Sequence, residues 1–152
     1  MGKKRSVNDV FLGSLTSDRV RDRNLRKDCT WYANYSVENT PEPITIIIEG
    51  NGLEPHKFQL AEVKNILGEI DLFYDKIDER LSKEIESMNA NDQILFKDWR
   101  SYLYLSAIYS LNENSREPKF EICFSPFNEE SFSHLILNYS NGKLEVIEFS
   151  GG

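Results

Sequence analysis

The sequence predicts an α+β fold in which a mainly antiparallel sheet packs against one long helix. Segments rich in strand-forming residues stand before and after a central stretch, about residues 60–88, whose apolar residues recur every three or four positions. Near the end of the chain, Asn141-Gly142 separates two strand-like segments, which is a strong signal for a hairpin. Strands, one helix and strands again form the element order typical of the α+β class.

Three strands are predicted before the helix, at residues 10–15, 30–37 and 44–49. Pro41 and Pro43 lie between the second and the third, and proline cannot donate a hydrogen bond within a central strand. The run of branched aliphatic residues from Ile44 predicts that the third strand is buried on both faces. We therefore expect it to be central in the sheet.

The helix is predicted from about Leu60 to Met88 because its apolar positions keep helical spacing throughout. Charged residues occupy the positions between them. The helix is predicted to end at the polar stretch from Asn89 to Asp92, since asparagine is a tolerated C-terminal cap residue. The apolar stripe comprises Leu60, Val63, Ile66, Leu67, Ile70, Phe73, Tyr74, Ile77, Leu81, Ile85 and Met88.

After the helix, strands are predicted at residues 102–111, 119–124, 134–139 and 143–149. The chain of 152 residues has the length of one domain with its own core. We expect a flexible tail over residues 1–9 and a single α+β domain over residues 10–152.

The charge is distributed unevenly. The chain has a net charge of −7, yet residues 1–30 carry eight Lys or Arg against four Asp. The other 122 residues carry ten Lys or Arg against twenty-one Asp or Glu. Such an acidic body makes nucleic acid an improbable partner and suits a basic protein, although acidity can also serve solubility alone.

Cys29 and Cys123 are the two cysteines, too few for a secreted disulfide framework. No segment has the uninterrupted apolar length of a membrane span, and the N-terminus lacks the apolar run of a secretory signal. We therefore expect a cytoplasmic protein with reduced thiols and no membrane association.

Known catalytic motifs are missing from the sequence. Gly50-Asn51-Gly52 follows a strand, as in phosphate-binding loops, but the Lys-Ser/Thr pair of a Walker loop is absent and position 55 is proline. No nucleophile elbow, zinc-binding His-Glu-x-x-His or calcium loop occurs. The sequence predicts neither a cofactor nor a metal.

Five aromatic residues are candidate anchors for a partner, with core packing as the alternative for at least half of them. They are Trp31, Tyr32, Trp99, Tyr102 and Tyr104. Asp71, Asp75 and Asp78 share one helical face, where the alternatives are a partner contact and an ordinary solvated surface. A basic segment, Arg19–Lys27, could contact nucleic acid only weakly because aspartates interrupt it.

His134 begins a predicted strand and is the remaining candidate site residue. It could be a structural histidine at the end of a sheet, a partner contact, or the base of a hydrolase or transferase. The enzymatic alternative requires a neighbouring carboxylate such as Glu129 or Glu130.

Several segments resemble, in their residues and in their order along the chain, those of a small bacterial family of unknown function. The resemblance rests on FLGSL at residues 11–15, WY at 31–32, the long helix, and FSHLILNYSNGKLEVIEFSGG at 132–152. Where that family has an acidic Asp-Gly-Asp-like lead before Phe132, this chain has Asn128-Glu129-Glu130-Ser131. The resemblance implies a stand-alone domain of the type found as immunity proteins beside polymorphic toxins, with no enzymatic activity.

Together these features predict a non-enzymatic cytosolic binding protein, in the form of an immunity protein that neutralises a basic toxin by direct contact. The enzymatic alternative based on His134 is the runner-up. A module that self-associates into a homodimer is the third hypothesis.

Overall fold

The computed structural model describes residues 2–111 and 117–150, and within them eight strands form one sheet. The order of the strands in the sheet is their order in the chain. Neighbouring strands are antiparallel, except for the fourth and fifth, which are parallel, so the sheet is mixed. The strands are β1 Ser6–Asp9, β2 Gly13–Ser17, β3 Asp28–Tyr35, β4 Ile44–Asn51, β5 Leu103–Ser110, β6 Lys119–Pro126, β7 His134–Ser140 and β8 Lys143–Ser150.

The parallel pair explains where the helices lie, because parallel neighbours require a long crossover connection. All four α-helices of the described residues belong to the connection from β4 to β5. They are α1 Lys57–Gly68, α2 Ile70–Ser82, α3 Ala90–Lys97 and α4 Trp99–Tyr102, with a 3₁₀ turn at Ile85–Ser87.

The predicted fold class, with one long helix over about 60–88, is wrong. The structure is mostly sheet, and the helical region is divided into short helices. α1 ends at Gly68, and Glu69 has the non-helical angles φ −124° and ψ 48° before α2 begins. Glycine is a poor helix residue. Apolar periodicity did not reveal the break, because the interruption is one residue long and Phe73 N–H still donates to the Glu69 carbonyl at 3.0 Å.

One face of the sheet packs against the helices. β4 is central, as predicted, but its burial alternates along the strand. Ile44, Ile46 and Ile48 are buried, whereas Thr45 and Ile47 on the other face are half-buried. The expectation that both faces of β4 would be buried is therefore wrong, because the crossover helices cover one face alone. We call the two sides the covered face and the open face.

The core lies between the covered face and the helices. α1 contributes Val63 and Leu67, and α2 contributes Phe73, Ile77 and Leu81. These side chains form one apolar cluster with strands from both halves of the sheet. The strand residues are Leu15, Trp31, Ala33, Ile44, Ile46, Ile48, Leu103, Leu105, Ile108, Phe120, Ile122, Phe124, Leu135, Leu137 and Tyr139.

The N-terminal residues assigned to a flexible tail partly belong to the sheet. Residues 6–9 form β1 and pair with β2, and the predicted strand at 10–15 is instead a turn followed by a strand from Gly13. Asp9 fixes this edge, since its carboxylate lies 2.9 Å from Lys64 Nζ on α1.

The two glycines after β4 permit close contacts between backbone segments. A Cβ at Gly50 would lie 2.5 Å from the Glu54 carbonyl oxygen, and one at Gly52 would lie 2.7 Å from Val20. Glycine here serves packing. The hairpin prediction at the other end of the chain is confirmed: Asn141 and Gly142 have φ of 52° and 78° between β7 and β8.

Candidate functional site

The five candidate aromatic anchors separate into two groups. Trp31 and Trp99 are 0% and 2% exposed and belong to the core. Their indole N–H groups donate to the Asn51 carbonyl at 2.8 Å and to Asp78 Oδ1 at 2.6 Å. A buried, hydrogen-bonded indole is not available to a partner. Tyr32 and Tyr102 are 41% and 47% exposed.

Tyr102 lies at one end of the sheet, where further aromatic side chains are found. It ends α4, directly before β5, and its carbonyl accepts a hydrogen bond of 2.9 Å from Phe127 N–H. Tyr104, on the open face of β5, has its ring centroid 5.3 Å from that of Phe127. Phe132 lies in the loop before β7. We call Tyr102, Tyr104, Phe127 and Phe132 the aromatic end.

The loop from β6 to β7 holds Phe132 outward. Asn128 Oδ1 accepts from Glu130 N–H at 3.0 Å, which tightens the turn. The hydroxyls of Ser131 and Ser133 lie 2.7 Å apart, and Ser133 is 3% exposed. Because the two serines are joined on the inner side, the side chain between them projects into solvent, and Phe132 is 85% exposed.

A cavity of about 400 Å³ opens beside Tyr102 and Phe127 of the aromatic end. Tyr102, Phe127 and Leu95 provide its apolar wall. Ser101, Asn128 and the two serines of the loop provide hydrogen-bonding groups. Apolar walls with a few polar groups are the composition of many recognition sites.

Negative charge surrounds the aromatic end. Glu129 and Glu130 are exposed in the loop between Phe127 and Phe132. Partial burial raises the pKa of the Tyr104 hydroxyl, and the charges of Glu42 and Glu129 raise it further. The same carboxylates would attract a cationic group to these rings.

His134 follows the loop and contacts a carboxylate, but not the one expected. Its Nε2 lies 3.1 Å from Glu148 Oε1 on β8, rather than beside Glu129 or Glu130. Its Nδ1 lies 3.2 Å from the Phe132 carbonyl oxygen. Both ring nitrogens therefore face acceptors within the protein.

The three aspartates of α2 do not act as a group. Asp75 and Asp78 accept hydrogen bonds from Arg100 Nη2 at 3.0 and 2.6 Å, and Asp71 is exposed. Arg100 also lies over the Trp99 ring, 5.6 Å from its centroid. This cluster ties α4 to α2. Among residues 2–111 and 117–150, no group of three or more potential ligands could hold a metal.

A cavity of about 540 Å³ adjoins the basic segment predicted as a weak nucleic-acid contact. Arg19, Arg21 and Lys27 line it, but so do Asp18 and Asp28. Trp31 is buried and unavailable for stacking, whereas Tyr32 is 41% exposed. The mixed charges of the cavity weaken the positive groove on which the binding of single strands depends.

Sequence reasoning did not select Phe127 and Phe132 as site residues. A signal was present, because both occur in the polar stretch Phe127-Asn128-Glu129-Glu130-Ser131-Phe132, which has neither strand nor helix periodicity. Aromatic residues in such a loop have no regular apolar face to join.

Comparison with protein-family models, with curated proteins and with solved structures found no match to this chain. No helix among the described residues is both long and apolar enough to cross a membrane.

Proposed function

We propose that the chain is a non-enzymatic, cytosolic binding protein that recognises a basic protein through the aromatic end. The observation that carries this proposal is that Tyr102 and Phe127, exposed by 47% and 38%, line one cavity. Phe132, 85% exposed, lies in the adjoining loop with Glu129 and Glu130. Exposed rings of this kind are the anchors that dominate binding energy at protein interfaces.

The proposed partner is basic because both the local and the overall charge favour it. Glu129 and Glu130 lie among the rings, and the net charge of the chain is −7. Complementary charge raises the rate of association, whereas the buried rings determine how long the complex lasts. With the resemblance noted above, this suggests an immunity protein that neutralises a toxin by covering its active surface.

The experiment begins with the product of the gene adjacent to the one encoding this chain. The two proteins are co-expressed, cell survival is recorded, and the affinity of the purified pair is measured by calorimetry. We expect Phe132→Ala and Tyr102→Ala each to weaken binding about 30-fold, as anchors at the centre of an interface do.

Leu53→Ala is the matched control. Leu53 is 47% exposed, the same fraction as Tyr102, but it follows β4 outside the aromatic end. We expect its affinity to remain within about twofold of wild type. Wild-type affinity in both aromatic variants, or neither a complex nor protection in co-expression, would contradict the proposal.

The enzymatic alternative has one observation in its favour, the contact between His134 and Glu148. A general base, however, needs a nitrogen free to take a proton from a substrate. Since the second nitrogen of His134 faces the Phe132 carbonyl, the geometry supports a histidine that fixes the start of β7.

A further inference from the structure

A second surface is basic, although the chain has a net charge of −7. A cavity of about 450 Å³ lies between α2 and the hairpin of β7 and β8. Lys76, Arg80, Lys83 and Lys143 line it, with Glu79 as its acidic lining residue. We call these four cations and their cavity the basic groove.

The cations converge because of how two elements meet. Lys76 and Arg80 lie on α2 and Lys83 is the residue that caps its C-terminus; their spacing of four and three positions places them on one side of the helix. Arg80 Nε donates to the Leu144 carbonyl at 3.2 Å, which brings the hairpin and its Lys143 against this side. Like charges at such spacing destabilise a helix when nothing compensates them.

Little within the protein compensates these charges. Arg80 pairs with Glu84 at 2.8 Å. Within the described part of the chain, Lys76, Lys83 and Lys143 form no ion pair, in contrast to Lys64 and Arg100, which meet aspartates. Four positive groups thus face two carboxylates, Glu79 and Glu84.

The net charge of −7 does not cancel this local excess. At physiological ionic strength, exposed charges are screened beyond about 8 Å, so distant carboxylates contribute little inside the groove. A ligand held there meets mainly the groove's own cations. Arg80, fixed by Leu144 and Glu84, offers a planar donor, and the lysines offer mobile point charges, as at phosphate sites.

We propose that the basic groove binds a small anion that carries several phosphates, of the triphosphate class. A single phosphate would meet too few of the four cations, whereas a chain of three can reach charges along the helix and on the hairpin. The groove adjoins the turn at Gly142, at the opposite end of β7 from the aromatic end. With seven residues in β7, the two sites lie roughly 20 Å apart and can be tested separately.

The test is calorimetry with sodium tripolyphosphate at low salt, with ATP, inorganic phosphate and sulfate as parallel ligands. We expect tripolyphosphate to bind more tightly than phosphate or sulfate. Equal binding of ATP would assign recognition to the phosphates, and tighter binding of ATP would add a base contact; both support a triphosphate site.

Two variants with the same change of charge complete the test. Lys83→Gln combined with Lys143→Gln removes two cations from the groove, and we expect at least about tenfold weaker tripolyphosphate binding. Lys57→Gln combined with Lys97→Gln removes two exposed lysines elsewhere and should stay within about twofold of wild type. Thermal unfolding of both variants verifies that they fold.

Three results would overturn the proposal. They are an absence of tripolyphosphate binding to the wild type, an equal loss in both double variants, and tighter binding of a single-stranded oligonucleotide than of tripolyphosphate. The last result would assign the groove to nucleic acid.

Discussion

The two faces of the sheet use the same strands but differ in what covers them. On the covered face, Ile46, Ile48, Phe120 and Ile122 have no exposed surface. On the open face, Ile47 of β4 and Cys123 of β6 are half-buried, as are Tyr109 of β5 and Ile136 of β7. The difference follows from topology, because a single crossover provides all the α-helices of the described residues and places them on one side.

The open face is neither a core nor an ordinary polar surface. Its apolar residues lie among Glu49, Glu121 and Glu148, which keep it hydrated. Two copies of the chain that met through this face would bring these carboxylates together. Self-association through this face would therefore have to overcome the repulsion between like charges.

The edges of the sheet also disfavour pairing of two copies through strands. β1 has four residues, and β8 carries a bulge at Ile147 together with the charged Lys143, Glu145 and Glu148. Short, bulged and charged strands are the devices by which sheets avoid edge-to-edge association.

The largest expected effect contrasts two adjacent residues of β3 that point to opposite faces. Trp31→Ala should lower the free energy of unfolding by about 3–5 kcal/mol, because it leaves a cavity and removes the hydrogen bond to Asn51. Tyr32→Ala, from the open face, should cost about 1 kcal/mol or less. Urea denaturation followed by fluorescence and circular dichroism measures both.

Equal destabilisation by the two substitutions would break the distinction between the faces. It would mean that the open face is covered by a second copy or another element in solution. Sedimentation of the Tyr32→Ala variant at several concentrations separates these cases, since a dimer would dissociate on dilution.

Much of the sheet could be predicted from the sequence, because its signals are local. Alternation and aliphatic content found β4, β6 and β7, and Asn141-Gly142 found the last hairpin. β1 was missed, because Ser6–Asp9 has no strong strand pattern; besides its pairing with β2, it is joined to α1 through Asp9 and Lys64, which are 55 positions apart. Contacts at such a distance are tertiary and have no local signature.

The candidate site was predicted only in part, for a related reason. Aromatic identity selected Trp31 and Trp99 together with Tyr102 and Tyr104, but burial depends on which face the helices cover. The helix break at Glu69 was hidden because α1 and α2 bury the same side. The basic groove was missed, since α2 and Lys143 are brought together by folding alone.

An intermediate effect is expected where the sheet edge is joined to the covering helix. Burial alone would raise the pKa of Asp9, but hydrogen bonds from Leu12 N–H, Lys64 and Phe11 N–H outweigh it and lower the pKa below 3.8. Asp9→Asn keeps an acceptor for the two backbone groups and removes the charge. We expect it to cost about 1 kcal/mol at pH 7.

The sign of the pH dependence makes this prediction specific. Because the folded state holds the Asp9 carboxylate ionised more readily than the unfolded state, its stabilising effect is present above pH 3.8 and disappears as the pH falls through the lower folded value. Urea denaturation of wild type and Asp9→Asn should therefore converge in acid. A gap that stays constant down to the acid limit would show that the charge is not the cause.

The smallest effect concerns the two thiols, one on each face. Burial, helped by Glu121, raises the pKa of the Cys123 thiol on the open face to about 11, from an ordinary 9.0. Since the thiolate is the reactive form, alkylation at pH 8 should be about a hundredfold slower than for a free thiol. Buried Cys29, whose pKa is also raised by burial, should react more slowly still. Iodoacetamide labelling followed by peptide mass spectrometry gives both rates.

The raised pKa also means that the folded state retains the Cys123 proton above pH 9, so this thiol lowers stability as the pH rises beyond that value. Cys123→Ser should reduce that loss of unfolding free energy at alkaline pH. In the labelling experiment, rapid reaction of Cys123 near neutral pH would show that the open face is less protected than its half-buried residues imply.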